Sequence, residues 1–120
     1  MKILGIGVDI LNNKRVKPLI INKRFLTRTF GVKELEFSSK ISNKTKYFAK
    51  RFAAKEAFVK SIGTGFRNNL NFKDIEILND KMGKPYFRKS KKIDLIIKKR
   101  FKTKKYNLFL SISDEKDYSI

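Results

Sequence analysis

The chain has 120 residues, 41% of them hydrophobic, which suffices for one domain with one modest core. It contains no cysteine and no histidine, which excludes disulfide scaffolds, zinc–thiolate sites, thiol nucleophiles, Ser-His triads and imidazole bases or ligands. The net charge of +19 suits an anionic partner, whether nucleic acid, an anionic membrane, a phosphate-bearing substrate or an acidic protein, but a lysine-rich composition alone selects none of these.

Residues 2–10 alternate as a strand, with Ile6, Val8 and Ile10 on one face and Gly5, Gly7 and Asp9 on the other. No cleavage site follows, so a signal peptide is not expected, and no apolar run reaches the length of a membrane span. Asn12 and Asn13 can cap a short helix that Pro18 interrupts or ends. Residues 22–42 read as short helical pieces broken near Gly31. The strongest helix signal runs from Asn43 to Ile62. There Phe48, Phe52, Val59 and Ile62 form one stripe, and Ala49, Ala53 and Ala57 form a small-residue stripe beside it. Gly63 stops this helix. Residues 70–78 alternate again, 79–83 form a turn, and 84–88 return as a strand. A helix over 91–101, a strand over 106–113 and a stub of a last strand at 118–120 complete the order, which points to an α+β fold.

Two segments can carry chemistry. Gly5-Ile6-Gly7 opens like a dinucleotide fingerprint, but Ile10 stands at the third glycine position and Asp9 would repel a pyrophosphate. Two glycines beside an aspartate instead leave space next to a carboxylate, which suits a metal and a phosphate-bearing ligand, or simply a strand packed closely on a helix. In the second segment, Arg51 to Phe58, the helical period places Glu56 between the two stripes and facing inward. A buried carboxylate needs a partner. A salt bridge to Lys60 at i+4 would serve, and so would a shared magnesium site with Asp9. Spacing does not choose between them.

Gly5-Ile6-Gly7-Val8-Asp9-Ile10 resembles the first motif of the holo-[acyl-carrier-protein] synthases, the short, single-domain branch of the 4'-phosphopantetheinyl transferases. The run from Phe48 to Lys60 with Gly63-Thr64-Gly65 resembles their long second motif. Asp74 to Ile77, Gly83-Lys84-Pro85-Tyr86 and Leu110-Ser111-Ile112-Ser113 follow in the same order, so the resemblance spans nearly the whole chain. It implies a single domain over residues 1–120, with a small, mainly antiparallel sheet on a long central helix. It implies magnesium-dependent transfer of phosphopantetheine from coenzyme A to a serine of apo-acyl carrier protein, releasing adenosine 3',5'-bisphosphate, in support of fatty acid or lipid biosynthesis. It also implies a cytoplasmic homotrimer with coenzyme A bound between chains, and no nucleic-acid or membrane partner.

In residue terms the resemblance makes Asp9 and Glu56 the metal ligands and places Lys60 near the diphosphate. It puts Arg51, Gly63 and Thr64 in the coenzyme A region, and Arg15 and Arg24 on the surface facing the carrier. The serine nucleophile then belongs to the partner, and Glu56 acting through a water, or a water alone, takes its proton. Asp114 stands where the family commonly has histidine, and an aspartate there would repel phosphate unless it turns away or pairs with a lysine. The C-terminus is short, and the chain around Pro18 is one residue shorter than usual. Two rival readings are a small basic RNA-binding protein and a relative that binds carrier without catalysis.

Overall fold

The computed structural model describes residues 1–67 and 69–120. Helix α4, Lys44–Ile62, is the central element. The Asn43 side chain caps its N-terminus, and Gly63 ends it at φ 72°, a left-handed conformation that costs glycine little. Two apolar clusters pack along α4, one on its C-terminal half and the other on its N-terminal half. One joins Phe58, Val59 and Ile62 to Leu70, Ile75, Ile77 and to Ile93 and Ile97 of α5, Lys91–Phe101. The other joins Phe48, Ala49 and Ala53 to Leu11, Val16 and Phe30. Each large side chain buried here contributes roughly 1.5–3 kcal/mol.

The N-terminal half wraps one side of α4 with short helices. Asn12 caps α1, Asn13–Val16, by accepting from the Lys14 N–H. A 3-10 turn over Leu19–Ile21 follows Pro18. Asn22 caps α2, Lys23–Thr29, and α3, Val32–Ser38, starts at Gly31. Strand β1, Leu11–Asn12, pairs antiparallel with the terminal stub β4, Tyr118–Ser119, with Leu11 opposite Ser119. The buried Ser119 hydroxyl donates to Asn13 Oδ1 at 2.7 Å and fixes that junction. A second antiparallel pair joins β2, Ile77–Asn79, to β3, Pro85–Phe87, across the 80–84 turn.

Three expectations need correction. Residues 2–10 are extended, but none of their backbone groups pairs with another backbone group among the described residues. The same holds for 104–112, so the strand expected over 106–113 forms a backbone pair only at Ser113, with Ile120. The strand read over 70–78 is confined to 77–79, because Asp74 accepts from the Asn71 N–H and curls 72–74 into a 3-10 turn. The ammonium of Lys55 then takes the carbonyls of Phe72 and Ile75 that a strand would have offered to a neighbour.

Candidate active site

Close backbone contact brings Asp9 to α4. A Cβ built on Gly7 would lie 1.8 Å from the Ala57 carbonyl oxygen, and one on Gly5 would lie 2.0 Å from that of Ser61. Only glycine permits the 5–9 segment to lie this close to the second half of α4. Asp9 follows directly, with its side chain 17% exposed. Lys60 reaches across and donates to Asp9 Oδ1 and to the Val8 carbonyl, each at 3.1 Å.

Glu56 lies one turn before Lys60 on the same helix face and is half-buried rather than enclosed. The i+4 salt bridge to Lys60 does not form; among the described residues Lys60 makes its ion pair with Asp9. Burial pushes the Glu56 carboxyl above its ordinary range, the negative charge of Asp9 raises it further, and Lys60 opposes both. Asp9, Glu56 and Lys60 therefore share one electrostatic site. No group of three metal-ligating side chains exists among the described residues. Two carboxylates and no nitrogen or sulfur donor form an oxygen-only set, which fits a hard cation that keeps several waters and takes phosphate oxygens as its remaining ligands.

At the end of α4, Gly63 and Thr64 form the exit turn, with the Thr64 hydroxyl donating to the Gly65 carbonyl. Arg100 of α5 donates from Nε to the Ile62 carbonyl at 2.9 Å, which places a guanidinium against the helix C-terminus beside Gly63. Sequence reasoning missed Arg100, which is hidden in the basic run at the end of α5.

Arg51 is not brought to this cluster. It lies 5% exposed on another side of α4, over the Tyr47 ring at 3.7 Å, with its guanidinium donating to Asn79. Its Nε has no hydrogen-bond partner among the described residues. Beside it opens a cavity of about 310 Å³ that Lys33, Glu36, Asn79 and Tyr86 also line. Burial lowers the Arg51 pKa, and no carboxylate is paired with it among the described residues. A buried guanidinium that lines a cavity and donates to a neutral amide rather than to a carboxylate can receive an anion there, against the opposing charge of Glu36.

Arg15 and Arg24 are exposed on α1 and α2 and make no ion pair among the described residues. Asp114 lies between two lysines of α4, with Lys46 at 3.4 Å and Lys50 at 3.6 Å. The fully buried pair Lys55–Glu34 was not foreseen from the sequence.

The profile of the 4'-phosphopantetheinyl transferase superfamily matches residues 5–120. A holo-[acyl-carrier-protein] synthase of Pelagibacter ubique is 58% identical over 120 residues, covering 100% of this chain and 94% of the relative. The crystal structure of the Neisseria meningitidis holo-[acyl-carrier-protein] synthase superposes with a TM-score of 0.87 at 36% identity, covering 98% and 94% of the two chains. A Bacillus anthracis holo-(acyl-carrier-protein) synthase in complex with CoA (3',5'-ADP) superposes with a TM-score of 0.78 at 31% identity, covering 97% and 90%. An α+β chain built on one central helix, matched along its full length in sequence and structure, belongs to the 4'-phosphopantetheinyl transferase superfamily and is an enzyme of its holo-[acyl-carrier-protein] synthase branch.

Proposed function

We propose that this chain, as one domain over residues 1–120, transfers 4'-phosphopantetheine from coenzyme A to a serine of apo-acyl carrier protein, with Asp9 and Glu56 holding magnesium. The observation that carries the reading is the meeting of Asp9, Glu56 and Lys60 on the α4 face that the glycine-bearing segment covers. The carrier serine oxygen forms a bond to the β-phosphorus of coenzyme A. The bond from that phosphorus to the bridging oxygen breaks, and adenosine 3',5'-bisphosphate leaves with the electron pair. A magnesium ion supplies charge neutralisation at the diphosphate. Lys60, freed from Asp9, stabilises the leaving phosphate oxygens, and Glu56 takes the serine proton through an intervening water.

The bound B. anthracis relative supports coenzyme A as co-substrate here. The Gly63–Thr64 turn beside Arg100 and the Arg51 cavity supply positive surroundings for its phosphates. The exposure of Arg15 and Arg24 supports their assignment to the surface that meets an acidic carrier. A second copy of the chain fits the 2–10 and 104–112 stretches, which make no backbone–backbone pair among the described residues, and the exposed Ile6, Val8 and Phe109, which supports a homotrimer with sites between chains. No helix among the described residues is long and apolar enough to cross a membrane, and we place the enzyme in the cytoplasm with its carrier, in fatty acid or lipid biosynthesis.

The test is to mix protein, apo-carrier protein, coenzyme A and magnesium, and to weigh the carrier by mass spectrometry. The expected result is a carrier heavier by one phosphopantetheine, dependent on magnesium and lost in Glu56→Gln. Carrier binding without a mass gain would make the chain a non-catalytic binder. RNA retention with neither would restore the RNA-binding reading.

A further inference from the structure

Lys55 and Glu34 form an ion pair with both side chains at 0% exposure and Nζ 2.7 Å from Oε1. Nothing in the transfer chemistry uses either group. The ammonium also donates to the carbonyls of Phe72, at 3.0 Å, and Ile75. The Glu34 carboxylate accepts from the N–H groups of Gly31 at 3.0 Å and Ile77 at 3.1 Å. Its backbone carbonyl accepts from the Tyr47 hydroxyl at 2.6 Å. One saturated cluster therefore ties α3, α4, the 72–74 turn and β2 together.

Such a pair is an expensive way to gain stability, because each ion loses its hydration and well-packed apolar residues can serve as well. What it supplies is direction. Helix α4 is buried on nearly all sides: Phe48, Ala53, Phe58 and Ile62 meet neighbours in two separate clusters. The hydrophobic effect itself is non-directional and apolar packing orients a helix only through the fit of its side chains, so a buried, hydrogen-bonded charge adds a directional constraint on the roll about the helix axis. An ammonium with three donors and three fixed oxygen acceptors determines that roll sharply. Glu56 is the next residue, about 100° further round the helix. The opposing 5–9 segment is anchored separately, through Gly5 and Gly7 on the backbone of Ala57 and Ser61. The angular setting made at Lys55 is thus the setting at which Glu56 is presented to Asp9.

We propose that Lys55, held by Glu34, is a positioning residue that fixes the roll of α4 so that the Glu56 carboxylate and Asp9 converge on one divalent cation. The inference rests on the reading of Asp9 and Glu56 as the metal-holding pair. The decisive protein is the full chain carrying Glu34→Gln and Lys55→Met together, which removes both buried charges at once and leaves neither stranded.

Three quantities are measured: the melting temperature, the Kd for Mn2+ without coenzyme A or carrier by electron paramagnetic resonance, and the coenzyme A KM at saturating magnesium. The expected result is a folded protein whose Mn2+ Kd rises tenfold or more while the coenzyme A KM moves by less than threefold. A general loss of packing would weaken both together, and that parallel loss overturns the proposal. Mn2+ binding within twofold of the unsubstituted protein also overturns it. Should the double variant fail to fold, Glu34→Asp keeps both charges and shortens the anchor by one methylene. It is expected to weaken Mn2+ about threefold, and an unchanged Kd there is equally fatal. Glu56→Gln is the control. If it binds Mn2+ normally, the carboxylate reading fails and takes this inference with it. If it loses Mn2+ while the double variant does not, the positioning role alone is lost.

Discussion

Lys60 lies 3.1 Å from Asp9, fifty-one residues away in sequence, and not in an ion pair with Glu56 one helical turn behind it. The lysine thus serves as counter-ion to the segment that approaches α4 and helps hold it through the Val8 carbonyl. Its 55% exposure makes the pair a modest contributor to stability, about 0–1 kcal/mol.

The position of Lys60 predicts a split in Lys60→Met. A cation that competes for Asp9 is removed, so Mn2+ without coenzyme A should bind at least as tightly as before. The positive charge proposed to meet the diphosphate is also removed, so the coenzyme A KM should rise tenfold or more. Melting temperature should barely change. Weaker Mn2+ binding in this variant would mean that Lys60 helps to build the carboxylate site rather than competing for it.

Asp114 bears on the sequence argument that an aspartate here repels phosphate. Lys46 and Lys50 both lie within 4.0 Å of it, so its charge is largely neutralised before a ligand arrives. Asp114→His should therefore change coenzyme A affinity by less than threefold in either direction. It should lower the melting temperature slightly at low salt, since two lysines then face each other without a carboxylate, and the difference should close at 1 M salt, where screening acts within about 3 Å. Titration calorimetry and thermal scans at two salt concentrations decide the matter. A large gain in coenzyme A affinity would restore the repulsion argument.

Features encoded in neighbouring residues were legible from the sequence. Asn12, Asn43 and Gly63 mark helix ends through their own side chains or backbone freedom, and they do so in the structure. The 79–83 turn and the strand after it were legible for the same reason. Strand pairing was not, because alternation in 2–10 and 106–113 specifies an extended chain but not what it pairs with. The approach of Asp9 to Glu56 was visible only as a possibility, since glycine at positions 5 and 7 permits the contact without naming the surface contacted. Lys55 was the least legible. A lysine on a basic helix reads as solvated, and its burial depends on Glu34 and two carbonyls far away in sequence.

Tyr106 offers a pH test. Its hydroxyl donates to Asp94 Oδ1 at 2.8 Å. Burial, followed by that hydrogen bond and the Asp94 charge, pushes its pKa up to about 12. The unfolded chain ionises near 10. A pKa raised by folding means that the stabilising contribution is whole below pH 10 and is lost as pH rises from 10 to 12. Tyr106→Phe should therefore be less stable than the unsubstituted protein at pH 8, and the gap should close between pH 10 and 12 in urea unfolding. A gap that stays constant across that range would show that the hydrogen bond is not what stabilises the folded state.

Exposed Arg15 and Arg24 predict a salt-dependent docking defect. Reversing both to glutamate should raise the carrier KM far more than the coenzyme A KM. The effect should shrink with added salt, because exposed charges are screened over about 8 Å at physiological ionic strength. A defect independent of salt, or one confined to coenzyme A, would place the docking surface elsewhere.

Gly7 carries the sharpest steric prediction. An added methyl would stand 1.8 Å from the Ala57 carbonyl oxygen, and a carbonyl locked in the middle of α4 cannot swing aside as a side chain end could. The 5–9 segment must lift instead, and with it Asp9. Overpacking of this kind costs about 1–3 kcal/mol. The catalytic loss should exceed the stability loss, because a carboxylate moved by an ångström no longer fits the metal site proposed for Asp9 and Glu56. Gly7→Ala should thus remain mostly folded at low temperature, by circular dichroism, yet lose Mn2+ binding and at least a hundredfold in transfer rate. Gly83, with φ 84° and open space around it, is the comparison: alanine there strains only the hairpin backbone. Gly83→Ala should lower stability without weakening Mn2+ binding. Equal Mn2+ losses in the two variants would mean that the approach of Gly7 to α4 is not what places Asp9.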